Sequence, residues 1–343
     1  APTPACEVCA HLHPFPPVRN PCPFFCSKIS PPEASAACQA PRPLSKCRAM
    51  TPRPDLLCIG SVLWDVIGRS PAAMPFGADM PGQIRRQPGG VAMNIAMSLR
   101  GHGLRPALLS VVGEDPEGRE LVAAARDMGL ITDHIHRSAG HPTDRYIAVE
   151  DSRGLVAAIA DVHSLEAAGG AILAALGDGR LGSADAPYPG TIALDGNLTE
   201  DLLAEIAQSP LFVAADLRVA PASPGKALRL RPLLGHPRAT LYVNLEEAGL
   251  LCGKVFEDSA TAAAALLAAG AARALVTAGA APASECGPEG VITRAAPEVS
   301  VTRITGAGDS FMAAHIAAER SGATAGAALE AALAAAARHV AGE

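Results

Sequence analysis

The sequence predicts an α/β fold in which helices cover both faces of a mostly parallel sheet. From Leu56 onward, short apolar runs bounded by Gly, Pro or polar residues alternate with segments of helical periodicity. Such alternation is typical of parallel strands joined by crossover helices. Composition agrees, because 49% of the 343 residues are hydrophobic and can form a substantial core.

The predicted strands are brief apolar runs, each short enough to be a buried strand. They are residues 56–59, 107–112, 191–194, 211–214, 240–243 and 274–277. The predicted helices lie between them and have plausible N-caps such as Thr199 and Ser259. They are residues 91–102, 117–128, 199–208, 245–251 and 259–269.

Two segments interrupt this alternation. Residues 62–86 contain several Pro and Gly residues, and residues 144–160 place two apolar runs around Ser152-Arg-Gly154, which is a hairpin signal. We therefore expect the two segments to form a small antiparallel sheet, or lid, beside the main one.

Charge and composition exclude two classes of partner. The net charge is −6, with 28 basic and 34 acidic residues, and aromatic residues make up only 3% of the chain. A nucleic-acid partner is therefore not expected. The longest apolar stretches are Ala-rich and interrupted by Gly, Glu or Arg, which is typical of packed helices rather than membrane spans. No basic segment leads into an apolar one as in a secretory signal, so a cytoplasmic location is expected.

The first 49 residues differ from the remainder. They hold six of the nine cysteines and many prolines. Proline disrupts regular structure, so we expect a disordered extension, with the folded domain spanning residues 50–343 and Met50 as an alternative start. The alternative interpretation is a small zinc site. Its ligands would come from Cys6, Cys9, His11, His13, Cys22 and Cys26.

The strongest local motif is Thr305-Gly-Ala-Gly-Asp309, followed by an Ala-rich helical segment. Small residues let the amides of Gly306, Ala307 and Gly308 approach a ligand, and a helix N-terminus favours an anion. An aspartate in that turn would lie beside a transferring phosphoryl group and accept a proton from the attacking hydroxyl. Asp309 is therefore the candidate base, and an ordinary helix cap is the alternative.

A second motif contains Gly89, Gly90 and Asn94. Paired glycines let backbone amides approach a polyhydroxylated ligand, and the Asn94 side chain both donates and accepts hydrogen bonds. A simple tight turn at the two glycines is the alternative.

A third motif, Asn244-Leu-Glu-Glu247, directly follows a predicted strand. Ligands of open α/β sheets bind at the carboxyl ends of the strands, and residues three apart on a helix share a face. Asn244 and Glu247 are therefore candidates to hold magnesium through water. The alternative is a helix that begins with acidic residues suited to its dipole.

Taken in their order along the chain, the three motifs resemble the ribokinase (PfkB) family of carbohydrate and nucleoside kinases over residues 56–340. The resemblance implies a three-layer α/β/α sandwich, ATP-dependent phosphorylation of an alcohol, and magnesium. It also implies that Asp65 grips sugar hydroxyls. The implied ATP-binding residues are Asn244, Thr277, Gly279 and Thr305.

Within the family, the chain is most similar to pseudouridine kinases. The similarity rests on Met80-Pro-Gly-Gln-Ile84, Tyr146-Ile-Ala, Ala157-Ala-Ile-Ala-Asp161 and Ala193-Leu-Asp195-Gly-Asn197. It implies phosphorylation of a nucleoside 5′-hydroxyl, with the Tyr146 hairpin as part of the lid and a homodimer that pairs through it. The implied nucleoside pocket consists of Asp65, Gly89, Gly90, Asn94 and Asp161.

Two positions depart from the family pattern. Arg303-Ile304 stands where many relatives have Asp-Thr, a pair associated with a monovalent-cation site, so a requirement for potassium is not implied. After Thr277-Ala-Gly279 the usual next glycine is displaced, which leaves the adenine side of the site undefined.

Three alternatives in function remain open. The same fold phosphorylates other acceptors, including ribose, adenosine, inosine or a ketohexose. A dinucleotide-binding oxidoreductase is disfavoured, because no G-x-G-x-x-G follows the first strand. A catalytically silent sugar-binding or regulatory protein would be expected to lack Asp309 or Glu247, and both are present.

Overall fold

The computed structural model describes residues 53–303 and 305–343. The predicted extension at residues 1–49 and its alternative zinc site lie outside the described residues.

The main sheet has eight strands in the order β14-β13-β12-β11-β10-β9-β1-β4. Pairing is parallel from β12 to β4, and β13 and β14 are added antiparallel at one edge. The strands are β1 Leu56–Ile59, β4 Pro106–Leu109, β9 Thr191–Asp195, β10 Asp216–Ala220, β11 Ala239–Asn244, β12 Arg273–Ala278, β13 Ala281–Gly287 and β14 Gly290–Arg294. The predicted mostly parallel sheet is confirmed.

Helices connect these strands. The α-helices are α1 Val91–Gly101, α2 Pro116–Asp127, α3 His163–Ala168, α4 Ala174–Gly177, α5 Glu200–Gln208, α6 Leu245–Cys252, α7 Ser259–Ala268, α8 Ala307–Arg320 and α9 Ala325–Ala341. The 3₁₀ helices are Gly169–Leu173, Pro210–Phe212 and Pro224–Leu233. Within the described residues, no helix is both long and apolar enough to cross a bilayer.

Alternate residues of each central strand pack into two separate cores. In β1, Leu57 and Ile59 join the core beneath α5, α6 and α7, whereas Leu56 and Cys58 join the core beneath α1, α2, α8 and α9. Both faces of the strand are thus buried, which explains why its sequence is a continuous apolar run. The arrangement is the predicted three-layer sandwich.

The structure corrects one predicted strand. Residues 211–214 were expected to be extended, but Pro210–Phe212 is a 3₁₀ helix and the strand is β10, four residues later. Phe212 is 1% exposed in the core on one side of the sheet, so its apolar character reflects helical packing. The strand itself includes the paired charges of Asp216 and Arg218, which concealed it from a search for apolar runs.

Smaller differences concern boundaries. The predicted run 107–112 is divided at Ser110, whose hydroxyl donates to the carbonyl of Gly60, into β4 and a second strand β5, Val111–Gly113. That strand pairs in parallel with β6, His136–Ser138. Thr199 caps α5 as predicted, whereas the N-cap of α7 is Asp258 rather than Ser259.

A separate four-stranded sheet, the lid sheet, has the order β3-β2-β7-β8. Its strands are β2 Leu63–Arg69, β3 Gln83–Gly89, β7 Arg145–Asp151 and β8 Gly154–Asp161. The predicted hairpin is present, because β7 and β8 pair antiparallel around the turn at Ser152. The sheet is mixed rather than wholly antiparallel, since β2 and β7 are parallel.

Candidate active site

Asp309 lies in the first turn of α8, where backbone amides have no partner inside the helix. The helix begins after Gly306, whose φ of 88° is in the left-handed region that favours glycine. Burial raises the pKa of Asp309 to about 7, and the negative charges of Asp195 and Asp65 act in the same direction. A carboxylate with this pKa can accept a proton near neutral pH.

Asn94 lies directly against this carboxylate. Its Nδ2 donates to Oδ2 of Asp309 at 3.0 Å, which lowers the pKa of Asp309 and opposes the effect of burial. Asn94 is in the first turn of α1, and α1 packs against α8. The structure thus brings the motif that contains Asn94 into contact with the motif that contains Asp309.

Gly89 leaves room for the carboxylate of Asp65. A Cβ at Gly89 would lie 2.1 Å from Oδ2 of Asp65, so a larger residue would displace that side chain. Burial raises the pKa of Asp65 to about 6. Gly90 has a φ of 94°, and its Cβ would lie 2.6 Å from the carbonyl oxygen of Ser61. Close packing therefore requires both glycines, and the positive φ favours glycine at Gly90 as well.

A buried polar network, not assigned by sequence reasoning, supports the start of α1. Asp195 is fully buried at the end of β9 and accepts from the backbone amide of Ser61 at 2.8 Å. The Ser61 hydroxyl also donates to Asp195 and accepts from the amide of Val91 at 2.9 Å. Asn197 donates to Asp195, and Lys226 donates to Asn197. The sequence signal for this network was the presence of polar residues at the ends of two buried strands, Ser61 after β1 and Asp195 at the end of β9.

Some of the site residues line one large cavity of about 1190 Å³. Asp65 and Tyr146 line it from the lid sheet, and they are register partners on β2 and β7. Asn94, Thr305 and Gly306 line it from the other side. The cavity is therefore lined by residues of two sequence motifs, the one that contains Asn94 and the one that begins at Thr305. Ala307, Gly308 and Asp309 follow Gly306 in α8.

Asn244 and Glu247 form a reciprocal capping box at the start of α6. Oδ1 of Asn244 accepts from the amide of Glu247, and Oε2 of Glu247 accepts from the amide of Asn244, both at 2.8 Å. Burial raises the pKa of Glu247, which is 6% exposed. The box accounts for the spacing of the motif, so helix capping is at least part of its role.

Thr277 is the register partner of Asn244 on the adjacent parallel strand, so the two residues lie together at the carboxyl edge of the sheet. Gly279, with a φ of 63°, is in the turn between β12 and β13. The structure thus groups Asn244, Glu247, Thr277 and Gly279 on one stretch of that edge, outside the residues that line the large cavity.

Asp161 is not among the residues that line the cavity. Its Oδ1 lies 2.7 Å from Nδ1 of His163. In the register of the lid sheet, Asp161 pairs with Arg145, the neighbour of the cavity-lining Tyr146. Successive side chains of a strand point to opposite faces, so this geometry gives no support to a role for Asp161 in the pocket.

The residues of the N-x-x-E motif fit a magnesium ion in their donor chemistry. Mg²⁺ prefers carboxylate, carbonyl and water oxygens and usually keeps several waters. The capping box engages one carboxylate oxygen of Glu247, Oε2. The motif therefore retains a carboxylate oxygen for a water-mediated contact.

Fold and site together define a phosphotransferase with an alcohol group as acceptor. The chain belongs to the pfkB family of carbohydrate kinases, whose sequence profile matches residues 53–341.

Several known proteins are similar to this chain. It is 31% identical over 267 residues to the pseudouridine kinase of Escherichia coli K12, which covers 75% of this chain and 81% of that protein. A crystal structure of a carbohydrate kinase from Agrobacterium tumefaciens is 26% identical, with a TM-score of 0.69, covering 82% of this chain and 89% of the other. The Arabidopsis thaliana ribokinase complexed with ribose and ATP is 20% identical, with a TM-score of 0.66, covering 84% and 93%, and supports the fold.

Proposed function

We propose that the protein transfers the γ-phosphoryl group of ATP to the 5′-hydroxyl of a nucleoside, namely pseudouridine, to give pseudouridine 5′-phosphate and ADP. The observation that carries the proposal is the position of Asp309. Its carboxylate lies in the first turn of α8 and accepts a hydrogen bond from Asn94, which lines the large cavity, and burial raises its pKa to about 7.

Asp309 acts as the general base. One carboxylate oxygen accepts the proton of the 5′-hydroxyl while the hydroxyl oxygen forms a bond to the γ-phosphorus. The bond from that phosphorus to the bridging oxygen of ADP breaks on the opposite side, in line. General-base catalysis of this kind contributes on the order of 10² to 10⁴ in rate.

The backbone at Gly306, Ala307 and Gly308 stabilises the negative charge of the transferring group. Amides in the first turn of a helix have no intrahelical partner, and the helix dipole places a positive end there. Removing one preorganised donor of this kind costs on the order of 10² to 10³ in rate.

ATP binds along the edge formed by Asn244, Thr277 and Gly279, and also contacts Thr305, which precedes α8. Magnesium, when bound, offsets the charge of the phosphate oxygens. Glu247 and Asn244 would hold the ion through water, while their capping box fixes the start of α6. The side chains thus contribute orientation and charge at the phosphate end of the nucleotide.

The substrate assignment draws on the similarity to pseudouridine kinase, at 31% identity. Asp65, Gly89, Gly90 and Asn94 bind the ribose, because a carboxylate and an amide in one cavity can accept from and donate to its hydroxyls. Asp161 remains a prediction from the resemblance. The alternative acceptors are ribose, adenosine, inosine or a ketohexose on the same machinery.

The lid sheet covers the acceptor and also joins two subunits. Its inner face, with Asp65 and Tyr146, lines the cavity. Its outer face includes exposed apolar side chains, and Ile84, Ile147 and Ile159 there are 78%, 43% and 69% exposed. A second copy of the chain, presenting the same apolar face in a twofold arrangement, is the occupant we propose.

The test is ADP formation from ATP and magnesium with a panel of acceptors: pseudouridine, uridine, adenosine, inosine, ribose and fructose. Turnover that depends on pseudouridine supports the proposal. Turnover with another acceptor instead would support the kinase activity but change the assigned substrate. Absence of turnover with every acceptor would contradict the proposed reaction.

A further inference from the structure

His339, in the last turn of α9, connects three parts of the candidate site. Its Nε2 lies 2.8 Å from the carbonyl oxygen of Thr305, and its Nδ1 lies 3.0 Å from the hydroxyl of Ser310. The ring also packs on Gly306, where an added Cβ would lie 3.0 Å from it. The side chain of His339 therefore connects the turn that precedes α8 to α9.

The contacts specify one form of the imidazole. A carbonyl oxygen only accepts, so Nε2 carries the hydrogen that Thr305 receives. Nδ1 lies 3.4 Å from Nη2 of Arg303, which only donates, so Nδ1 is an acceptor. His339 is thus neutral, and its pKa is lowered by burial and by the charge of Arg303. Its hydrogen-bond pattern cannot reverse while Arg303 is present.

Arg303 places a fixed positive charge at the C-terminus of α9. Its Nε donates to the carbonyl oxygen of His339 at 2.9 Å, and its backbone amide donates to that of Val340 at 3.2 Å. Carbonyl oxygens at a helix C-terminus attract cations, because they have no partner inside the helix and lie at the negative end of the dipole. The guanidinium of Arg303 supplies the positive charge that these carbonyl oxygens attract.

The family pattern associates this position with a bound monovalent cation, but the residues here do not fit one. An arginine stands where many relatives have an aspartate, so a carboxylate ligand is replaced by a positive charge. A potassium ion beside the guanidinium would be repelled, and the carbonyl of His339 is already engaged by Nε of Arg303.

From these contacts, we propose that Arg303 and His339 are positioning residues that hold the Thr305–Gly306 turn in place of a monovalent cation, so that catalysis by this chain needs none. The inference rests on the proposed function, since the turn it concerns is the one assigned to the phosphoryl group.

The first test compares chloride salts of potassium, sodium and choline at constant ionic strength. Turnover of the intact protein and its affinity for ADP with magnesium, measured by calorimetry, should each agree within about twofold among the three salts. A severalfold increase of either quantity in potassium over choline would overturn the inference.

The second test uses variants. Arg303→Ala should weaken ADP binding and lower kcat/KM by about tenfold or more, since small displacements of a catalytic turn are costly. Added guanidinium or potassium should restore part of the loss. Arg338→Ala is the matched control, because it removes an exposed arginine one residue from His339. Equal effects of the two substitutions, or no rescue, would contradict a positioning role for Arg303.

A third comparison isolates the imidazole. Glutamine places an amide N–H where Nε2 of histidine lies, so His339→Gln should retain activity within about threefold, whereas His339→Ala should lose tenfold to a hundredfold. Equal loss in both variants would show a packing role only. Loss of acceptor phosphorylation with salt-independent ADP binding would reject the proposed reaction and leave this inference standing.

Discussion

Nδ2 of Asn94 donates to Oδ2 of Asp309 at 3.0 Å, although 215 residues separate the two in the chain. The bond joins the first turn of α1 to the first turn of α8. It favours the ionised form of Asp309, whereas burial and the charges of Asp195 and Asp65 disfavour it. The balance of these opposing effects determines the pH at which the proposed base works.

Asn94→Ala should therefore move the acid limb of the pH profile upward. The base must be deprotonated, so kcat/KM falls below its pKa, and loss of the Asn94 hydrogen bond raises that pKa. A shift of about 0.5 to 1 pH unit is expected. Ser98→Ala, one turn further along the cavity-lining face of α1, is the control and should leave the midpoint unchanged.

Asp65→Asn should move the same limb downward, because it removes a negative charge that raises the pKa of Asp309. The measurement is the midpoint of kcat/KM against pH, which reports ionisations of the free enzyme. An unchanged midpoint in both the Asn94 and the Asp65 variants would show that Asp309 is not the group whose ionisation sets the pH profile.

Asp309→Asn should stabilise the protein at high pH. The folded pKa of about 7 exceeds the ordinary value of 3.8, so the native state binds more protons than the unfolded state between pH 4 and 7. Stability is consequently lost as the pH rises through this window. Because the carboxylate is half-buried and partly screened, the gain above pH 7 should be on the order of 1–2 kcal/mol.

Urea denaturation at pH 4 and pH 8 measures that effect. The difference between Asp309→Asn and the natural sequence should be absent at pH 4 and present at pH 8. Asp185→Asn, in an exposed loop, is the matched control. Equal stability of the natural protein and Asp309→Asn at pH 8 would disagree with a raised pKa of this carboxyl group.

Gly89→Ala should lower kcat/KM by a hundredfold or more, because its Cβ would occupy the space of the Asp65 carboxylate. Gly101→Ala, at the other end of α1, meets nothing within 4 Å and should be neutral or stabilising by about 0.5–1 kcal/mol. Acceptor kinetics and thermal unfolding of the two variants check the contrast. Full activity of Gly89→Ala would show that Asp65 is not held there for binding.

Ile84→Lys should disrupt the proposed dimer, since it places a charge on the apolar outer face of the lid sheet. Analytical ultracentrifugation should show a dimer for the natural sequence and a monomer for the variant. Val291→Lys is the matched control, because it places the same charge at an exposed apolar residue on β14, and this variant should remain dimeric. A natural protein that is monomeric at micromolar concentration would refute the proposed interface.

The sheet was largely predictable because its central strands are buried on both faces and appear as apolar runs. Residues 211–214 are also an apolar run, but they do not form a strand. Phe212 is apolar because it packs in a 3₁₀ helix, whereas the true strand carries Arg218, which is 9% exposed and paired with Asp216 and Glu319. A strand whose buried charges are paired with opposite charges does not appear as an apolar run in the sequence.

The site was predictable where its chemistry is local. Glycines that start helices and the spacing of Asn244 and Glu247 are visible in the sequence, and the capping box explains that spacing. Contacts made across the fold are not visible. His339 lies in an Ala-rich helix with no motif around it, and Asp195 meets Ser61 only because β1 and β9 are parallel neighbours.

The most direct test of the central claim is single-turnover phosphoryl transfer from ATP to pseudouridine by Asp309→Asn. The variant should bind ATP and pseudouridine within about threefold of the natural protein, while the rate of transfer should fall on the order of 10² to 10⁴. Near-normal transfer by a variant that binds both substrates would contradict Asp309 as the base.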